Sequence, residues 1–391
     1  MPEPPIPKAE RSVDKECMEN RLRIRKRLRI LVLKVGSQIL TDESGALYPR
    51  AFGQIARQVA LLRSEGVRIV LVSSGAIAAG REKIGLGKKP LSLALKQAAA
   101  SAGQTPLMIH WERALGRYGI HTAQILLTPA DIIDRERFTN LERTAETLLS
   151  LGIVPVVNEN DAVATFEIRF GDNDRLSAYV AGLVRAECLL LLSDVSHLYT
   201  ADPRVQSDAR KIFCVHGITP EIERMAGVSR SGLGTGGMAS KVSTALWANG
   251  WGLPVGVLKG DIPSGIFRFF EGMTGTLFDT CVGLPSNRKI WIGHFSRPKG
   301  GFRLDAGAAK ALSEGKKSLL GAGVMGVDGQ FSPKDPVFLV DPEGREIGRG
   351  ISRVGSADWS KGMPGILVHR NDLVLSAQVN RETRENDNDL Q

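Results

Sequence analysis

Cysteine is scarce in this chain: Cys17, Cys188, Cys214 and Cys281 are scattered over 391 residues without a C-x-x-C pair. That spacing argues against a disulfide framework or a zinc knuckle and for a reducing compartment. Cys214 and His216 are close, but two ligands do not make a metal site. No apolar run reaches the roughly 18 residues that a membrane span needs. The N-terminus also lacks the apolar core and small-residue cleavage site of a secretory signal. Aromatic residues make up only 6% of the chain, and no aromatic–basic stacking surface marks a single-strand nucleic-acid binder. None of the six histidines joins a Ser-His-Asp or Cys-His set, and no internal repeat is present.

What is there is ordinary globular material, 42% hydrophobic and 24% charged, in a length that suits two domains. The net charge of +9 suits phosphorylated ligands or nucleic acid and by itself decides neither. The opening "MPEPPIPKAERSVDKECMENRLRIRKRLRI" is Pro-rich, then mixed in charge, then basic. It is expected to be a disordered, solvated arm over residues 1–27, with Met18 as an alternative start. The tail over 377–391 is charged and expected to fray.

From residue 28 onward short apolar runs alternate with helical stretches. "LRILVLKVGS", "VRIVLVSSGAIAAG", "GIVPVVNENDAVA" and "CLLLLSDVSHLY" read as strands buried on both faces, and 51–65, 91–116 and 138–151 read as helices. This pattern predicts an α/β three-layer sandwich with a mostly parallel central sheet over residues 28–279. Residues 286–376 carry short strand-like pieces, "KIWIGHF", "GVMGVDGQF", "PVFLVDPEGREIGRGIS" and "GILVHR", around one helix in "DAGAAKALSEGK". They predict a small, mostly β domain.

Polar residues collect at the C-terminal ends of the predicted strands: Lys34, Ser74, Asn158, Asp161, Ser193 and Asp194. In open α/β sheets ligands bind at that edge. A second feature is "SGLGTGGMASK" over 231–241, with four glycines and a terminal lysine. Its G-x-G-x-x-G spacing is not a dinucleotide fingerprint, because no apolar strand leads into it and Val257 stands where an acidic residue is needed. It is not a Walker A loop either, since Lys241 stands four residues past the last glycine. A glycine loop opening a helix at Met238 offers free N–H groups and close backbone approach to a phosphate. A solvated lysine on a surface loop is the plain alternative.

Lys34 shifts the balance, because a charge at the end of a buried strand is costly unless it is paired or used. Two lysines from distant parts of one domain could clamp a transferring phosphoryl group, a reaction that needs mainly positioning and charge stabilisation. "FGDNDRLSAYVAGLV" adds Asp172, Asn173 and Asp174 at a helix start. One of these could be a cap; together they suit an ammonium group or Mg²⁺ on nucleotide phosphates. An aspartate between the lysines could hold both. An ionised carboxylate acceptor, with a pKa of about 4.3 for glutamate, needs no general base, which fits the lack of a histidine.

On "LKVGS", "SSGAIAAGR", "YGIHTAQILLT", "NENDAVAT", "GDNDRLSA", "LLLLSD", "LYTADPR" and "SGLGTGGMASK", the chain resembles the amino acid kinase family over roughly residues 28–375. Within it, the likeness is to the branch that phosphorylates the γ-carboxylate of L-glutamate at the head of proline synthesis. The C-terminal domain resembles a PUA domain, the β-rich module of some RNA-modifying enzymes. The resemblance implies catalysis by Lys34 and Lys241, held by Asp174. It implies a glutamate site of Ser74, Asp161 and Asn173 with Asn158 and Asp172 nearby. It further implies an ATP site of Lys34, Ser193, Asp194, Thr235, Gly236, Gly237, Met238, Ala239, Ser240 and Lys241. Mg²⁺ would arrive with ATP rather than be held by the protein alone. Also implied are feedback inhibition by proline and a dimer or tetramer; transient contact with the next enzyme and a cytoplasmic location are further expectations. The departures are Gln38 where a small hydroxyl residue is usual, Ser193 for threonine, His197 for a glycine, and a segment missing from the PUA-like module between Gly355 and Ile366. If that glycine needs a positive φ, His197 is strained. The alternatives are a different carboxylate or phosphate acceptor, such as acetylglutamate or aspartate, and an RNA-binding role for residues 286–376, which the trimmed module disfavours.

Overall fold

The computed structural model describes residues 15–87, 90–163, 173–201, 203, 205–217, 222, 237–280, 283–315 and 317–375. The chain divides into two compact units. The larger takes the residues up to Pro129, Thr139–Asn249 and Leu253–Thr280; the smaller takes Ala130–Phe138, Gly250–Gly252 and the residues that follow Thr280.

The larger unit is built on an eight-stranded sheet. Its strands are β1 (Ile30–Val35), β2 (Arg68–Ser73), β3 (Thr122–Leu127), β4 (Val154–Glu159), β5 (Cys188–Ser193), β8 (Cys214–His216), β9 (Val255–Lys259) and β10 (Thr276–Asp279), with β6 (Leu198–Tyr199) and β7 (Lys211–Ile212) forming a separate ribbon. The order is β3-β4-β2-β1-β5-β9-β10-β8, and every pairing is parallel except β9 with β10. Three of the strands read as apolar runs, β1, β4 and β5, are buried along their whole length, as strands covered on both faces must be.

The helices before the glycine loop are α1 (Lys15–Arg27), α2 (Ser37–Leu40), α3 (Pro49–Ser64), α4 (Ala76–Lys83), α5 (Leu93–Gly116), α6 (Pro129–Ile133), α7 (Arg135–Ser150) and α8 (Asn173–Leu183). On one face of the sheet, Leu31, Leu33, Val35, Leu71, Leu190 and Leu192 pack with Phe52 and Ile55 of α3 and Trp111 of α5. The alternate residues, Lys34 among them, face α8, as the Lys34–Asp174 ion pair shows. The Met238–Asn249 helix precedes β9, so its N-terminus lies at the strand C-terminal edge.

Of the arm expected to be disordered, residues 1–14 lie outside the described residues, and Lys15–Arg27 is instead a helix with Cys17, Arg21 and Ile24 buried. Arg21 is the reason. Its Nη1 donates to the carbonyls of Phe269 (2.6 Å) and Thr274 (2.8 Å), and its Nη2 to those of Phe213 (2.7 Å) and Gly275 (2.8 Å). Its guanidinium lies 4.4 Å from the Phe269 ring centroid. Burial lowers its pKa to about 10, so it stays charged at neutral pH. A hydropathy reading counts such an arginine as solvent-seeking, and only the tertiary set of carbonyls makes it a core residue.

A second correction concerns the cysteines. Cys17 is disulfide-bonded to Cys214, 197 residues away, with their Cα atoms 5.9 Å apart. Docking of α1 by Arg21 and Ile24 brings the two together, which spacing along the chain does not reveal. Among the described residues no helix is long and apolar enough to cross a membrane.

The smaller unit has a six-stranded sheet in the order β12-β16-β15-β14-β11-β13. Its strands are β11 (Gly300–Leu304), β12 (Leu319–Leu320), β13 (Val324–Gly329), β14 (Pro336–Val340), β15 (Glu346–Ser352) and β16 (Ile366–Leu375). Phe302, Val337, Leu339, Leu367 and Val368 form its core. The expected helix runs from Ala306 to Ser313 and is capped by Asp305, whose carboxylate accepts from the Ala308 N–H at 2.6 Å. "KIWIGHF", expected as a strand, is instead the end of a short helix followed by a π-turn over Trp291–Phe295. Its buried residues Trp291, Ile292 and Phe295 fall at helical spacing, and a short apolar run does not separate the two choices.

Candidate active site

β1 delivers Lys34 from one side, and the helix that follows the glycine loop delivers Lys241 from the other. Both reach Asp174 in the first turn of α8. Lys34 Nζ lies 2.6 Å from Asp174 Oδ1 and Lys241 Nζ 3.3 Å from Oδ2. Asp174 is 0% exposed, Lys34 4% and Lys241 6%. Two buried ammonium groups converge on one carboxylate. That is a costly arrangement for stability alone, and it is suited to an anion that arrives between them.

Asn173 begins the next cluster. Its Nδ2 donates to Ser74 Oγ at 2.9 Å and to Asn158 Oδ1 at 3.0 Å, joining the ends of β2 and β4 to the start of α8. Ser74, Asn158, Asp161 and Asn173, with Ser37 and Arg81, line a cavity of about 1200 Å³. Gly75 follows Ser74 at φ +108°, against Leu40, Leu47 and Leu107. A side chain would fit beside those leucines but would be strained at that φ, so the glycine sets the turn that presents Ser74.

At the end of β5, Ser193 Oγ donates to Asp194 Oδ1 at 2.9 Å. The Gly36 N–H donates to the Leu192 carbonyl at 3.3 Å, tying the β1 loop to the β5 loop. The Gln38 amide nitrogen, turned toward Asp194, donates to both carboxylate oxygens at 2.9 and 3.2 Å. Gly237 has φ +94°, and its carbonyl accepts from Lys241 Nζ at 3.4 Å. Met238, Ala239 and Ser240 form the first turn of the helix it opens. Asp172, Thr235 and Gly236 lie outside the described residues.

His197 is buried, with its ring 4.9 Å from that of Phe213. It is not at positive φ, so the backbone strain considered for this position does not arise. Burial, with Lys211 and Arg21 adding to it, pushes its pKa down to about 4. Glu159, buried at the end of β4 and also lining the cavity, was not singled out from the sequence, although it stands inside a run of chosen residues. Among the described residues no group of three or more His, Cys, Asp or Glu could hold a metal ion.

The model of the Amino acid kinase family matches residues 29–258, and that of the PUA domain matches residues 300–369. The chain belongs to the amino acid kinase family, with a PUA domain behind it. Among the relatives it matches are glutamate 5-kinases. The chain is 42% identical to the glutamate 5-kinase of Geobacter metallireducens over 351 residues, covering 90% of this chain and 93% of that one. It is 46% identical to that of Trichlorobacter lovleyi over 332 residues, and 46% identical to that of Meiothermus ruber over 334. Each of these two alignments covers 85% of this chain and 88% of the relative.

Proposed function

We infer that this chain is an ATP-dependent kinase acting on the γ-carboxylate of L-glutamate, giving L-glutamyl 5-phosphate as the first step of proline synthesis. The observation that carries the chemistry is the buried Lys34–Asp174–Lys241 bridge. The relatives' identity carries the choice of acceptor.

Glutamate enters the cavity with its ammonium group toward Asp161 and its α-carboxylate toward the hydroxyl and amide groups of Ser74 and Asn173. Asn158 and Asp172 support that pair. Its γ-carboxylate, ionised at neutral pH, points to the lysines. A carboxylate oxygen forms a bond to the γ-phosphorus of ATP as the bond to the bridging oxygen breaks, and ADP leaves with the electron pair. No proton moves, so no base is needed. Lys34 and Lys241 neutralise the oxygens of the group in transit, and Asp174 keeps both ammonium groups in place. Ser193, Asp194 and the loop from Thr235 through Ser240 hold the nucleotide.

Mg²⁺ is held mainly by substrate phosphates with one or two protein carboxylates. Asp194, exposed at the strand end, would be the carboxylate to hold the ion, which would screen the charge of the phosphates. Boundaries at 28–279 for the kinase domain and 286–376 for the PUA-like domain, a dimer or tetramer, inhibition by proline, transient contact with the next enzyme and a cytoplasmic location complete the proposal.

The test is ADP release with a panel of acceptors. Glutamate is expected to support turnover, with aspartate and acetylglutamate at least a hundredfold poorer in kcat/KM, because unmatched polar groups in the acceptor site are costly. Equal rates with aspartate would overturn the choice of acceptor.

A further inference from the structure

Lys259 has no role in the account above, yet it belongs to the same row of strand ends. In the β5–β9 ladder it stands directly opposite Ser193. In the β1–β5 ladder Lys34 stands opposite Leu191. Side chains alternate along a strand, so Lys34, Ser193 and Lys259 share one face of the sheet. That face is the one covered by α8 and the Met238–Asn249 helix.

The order along the edge gives Lys259 a meaning. From β4 through β2, β1 and β5 to β9, the strand ends carry Asn158, then Ser74, Lys34, Ser193 with Asp194, and Lys259. The first two belong to the acceptor and Lys34 to the group in transit. Neighbouring strands lie about 4.8 Å apart, which puts β9 about 10 Å beyond β1 on the nucleotide side. A triphosphate laid along this edge from Lys34 passes Ser193 and Asp194 and brings its α-phosphate to β9.

Local contacts prepare the residue for this position. Lys259 is half exposed, and its Nζ lies 3.1 Å from Asp261 Oδ2, which holds it at the edge while leaving it accessible. The Gly260 N–H donates to the Ser193 carbonyl at 2.9 Å, locking the two strand ends together. A Cβ on Gly260 would press on Ile39 of α2, so the β9 turn packs against the same short helix that carries Gln38 to Asp194.

We propose that Lys259 is a nucleotide-binding residue that pairs with the α-phosphate of the bound nucleotide, and that Asp261 holds it in readiness and competes with that phosphate. The proposal rests on the kinase reading of the site. Its test is kept apart from that reading by measuring binding of ADP, in which the transferred phosphate is absent.

Calorimetric titration of the full chain with ADP and with AMP is the experiment, alongside steady-state kinetics. Lys259→Ala is expected to weaken both nucleotides by about tenfold, the loss of one charge-assisted contact at a half-exposed site. It should raise the KM for ATP to match and leave kcat and the KM for glutamate within about twofold. Lys259→Arg should keep most of the affinity. Asp261→Asn separates a ligand from a mere ion pair: it should leave ADP binding unchanged or tighter, opposite in sign to Lys259→Ala. If wild type binds ADP and Lys259→Ala binds it as tightly, the proposal fails while the kinase reading stands. If the two variants lower the melting temperature alike and neither alters ADP affinity, Lys259 is only half of a surface ion pair. If wild type binds no ADP, both readings fall.

Discussion

A single carboxylate, Asp174, ties two distant lysines together at the residue scale. It pairs with both lysines, and the three residues could be picked out from the sequence. Lys34 announces itself as a charge at the end of an apolar run, and Asp174 as a surplus acid in a helix start that needs one cap. Gln38 was visible only as an unusual residue; its contact with Asp194 depends on α2 turning back over the end of β5, which spacing does not encode. His197 supplies a prediction at this scale. Its folded pKa of about 4 lies below the ordinary 6.5, so between those values the unfolded chain binds a proton that the folded one does not. Stability therefore falls as pH drops from 6.5 toward 4, by roughly 2–3 kcal/mol in all. Urea midpoints at pH 7 and pH 5 should show that fall, and His197→Phe should flatten it; an equal slope in the variant would refute the assignment.

Among the elements, the parallel strands were readable because burial on both faces writes an uninterrupted apolar run. β3, at the sheet edge, is only partly covered and gave no such run. α1 was unreadable because its deepest side chain is an arginine. The packing of α4 on α5 also escaped notice: a Cβ on Gly80 would overlap the carbonyl of Ala99, and one on Gly103 that of Ala76. α4 begins directly after Ser74 and Gly75, so this close approach fixes the cavity wall that Ser74 lines, the proposed acceptor side. Gly80→Ala should cost about 1–3 kcal/mol and raise the KM for glutamate more than that for ATP. A variant with wild-type stability and kinetics would show that the two helices can part freely.

At the scale of the molecule, the two-part organisation was readable from the change in style after residue 280, from long apolar strands to short ones punctuated by glycine and proline. The covalent tie between Cys17 and Cys214 was not, since it joins points 197 residues apart that meet only in the finished fold. Closing so long a loop contributes up to about 5 kcal/mol on the chain-entropy view. A dithiol reductant should therefore lower the melting midpoint by roughly 10 °C. Cys17→Ser should start at the lowered value and ignore the reductant. No change in wild type would mean that the non-covalent docking of α1 through Arg21 and Ile24 suffices.

The most direct measurement of the central claim is glutamate-dependent ADP release by Lys241→Ala, with circular dichroism to verify that the variant is folded. If two ammonium groups share the migrating phosphoryl, kcat falls by at least a hundredfold in a protein whose spectrum is unchanged. Turnover at the wild-type rate would contradict the account.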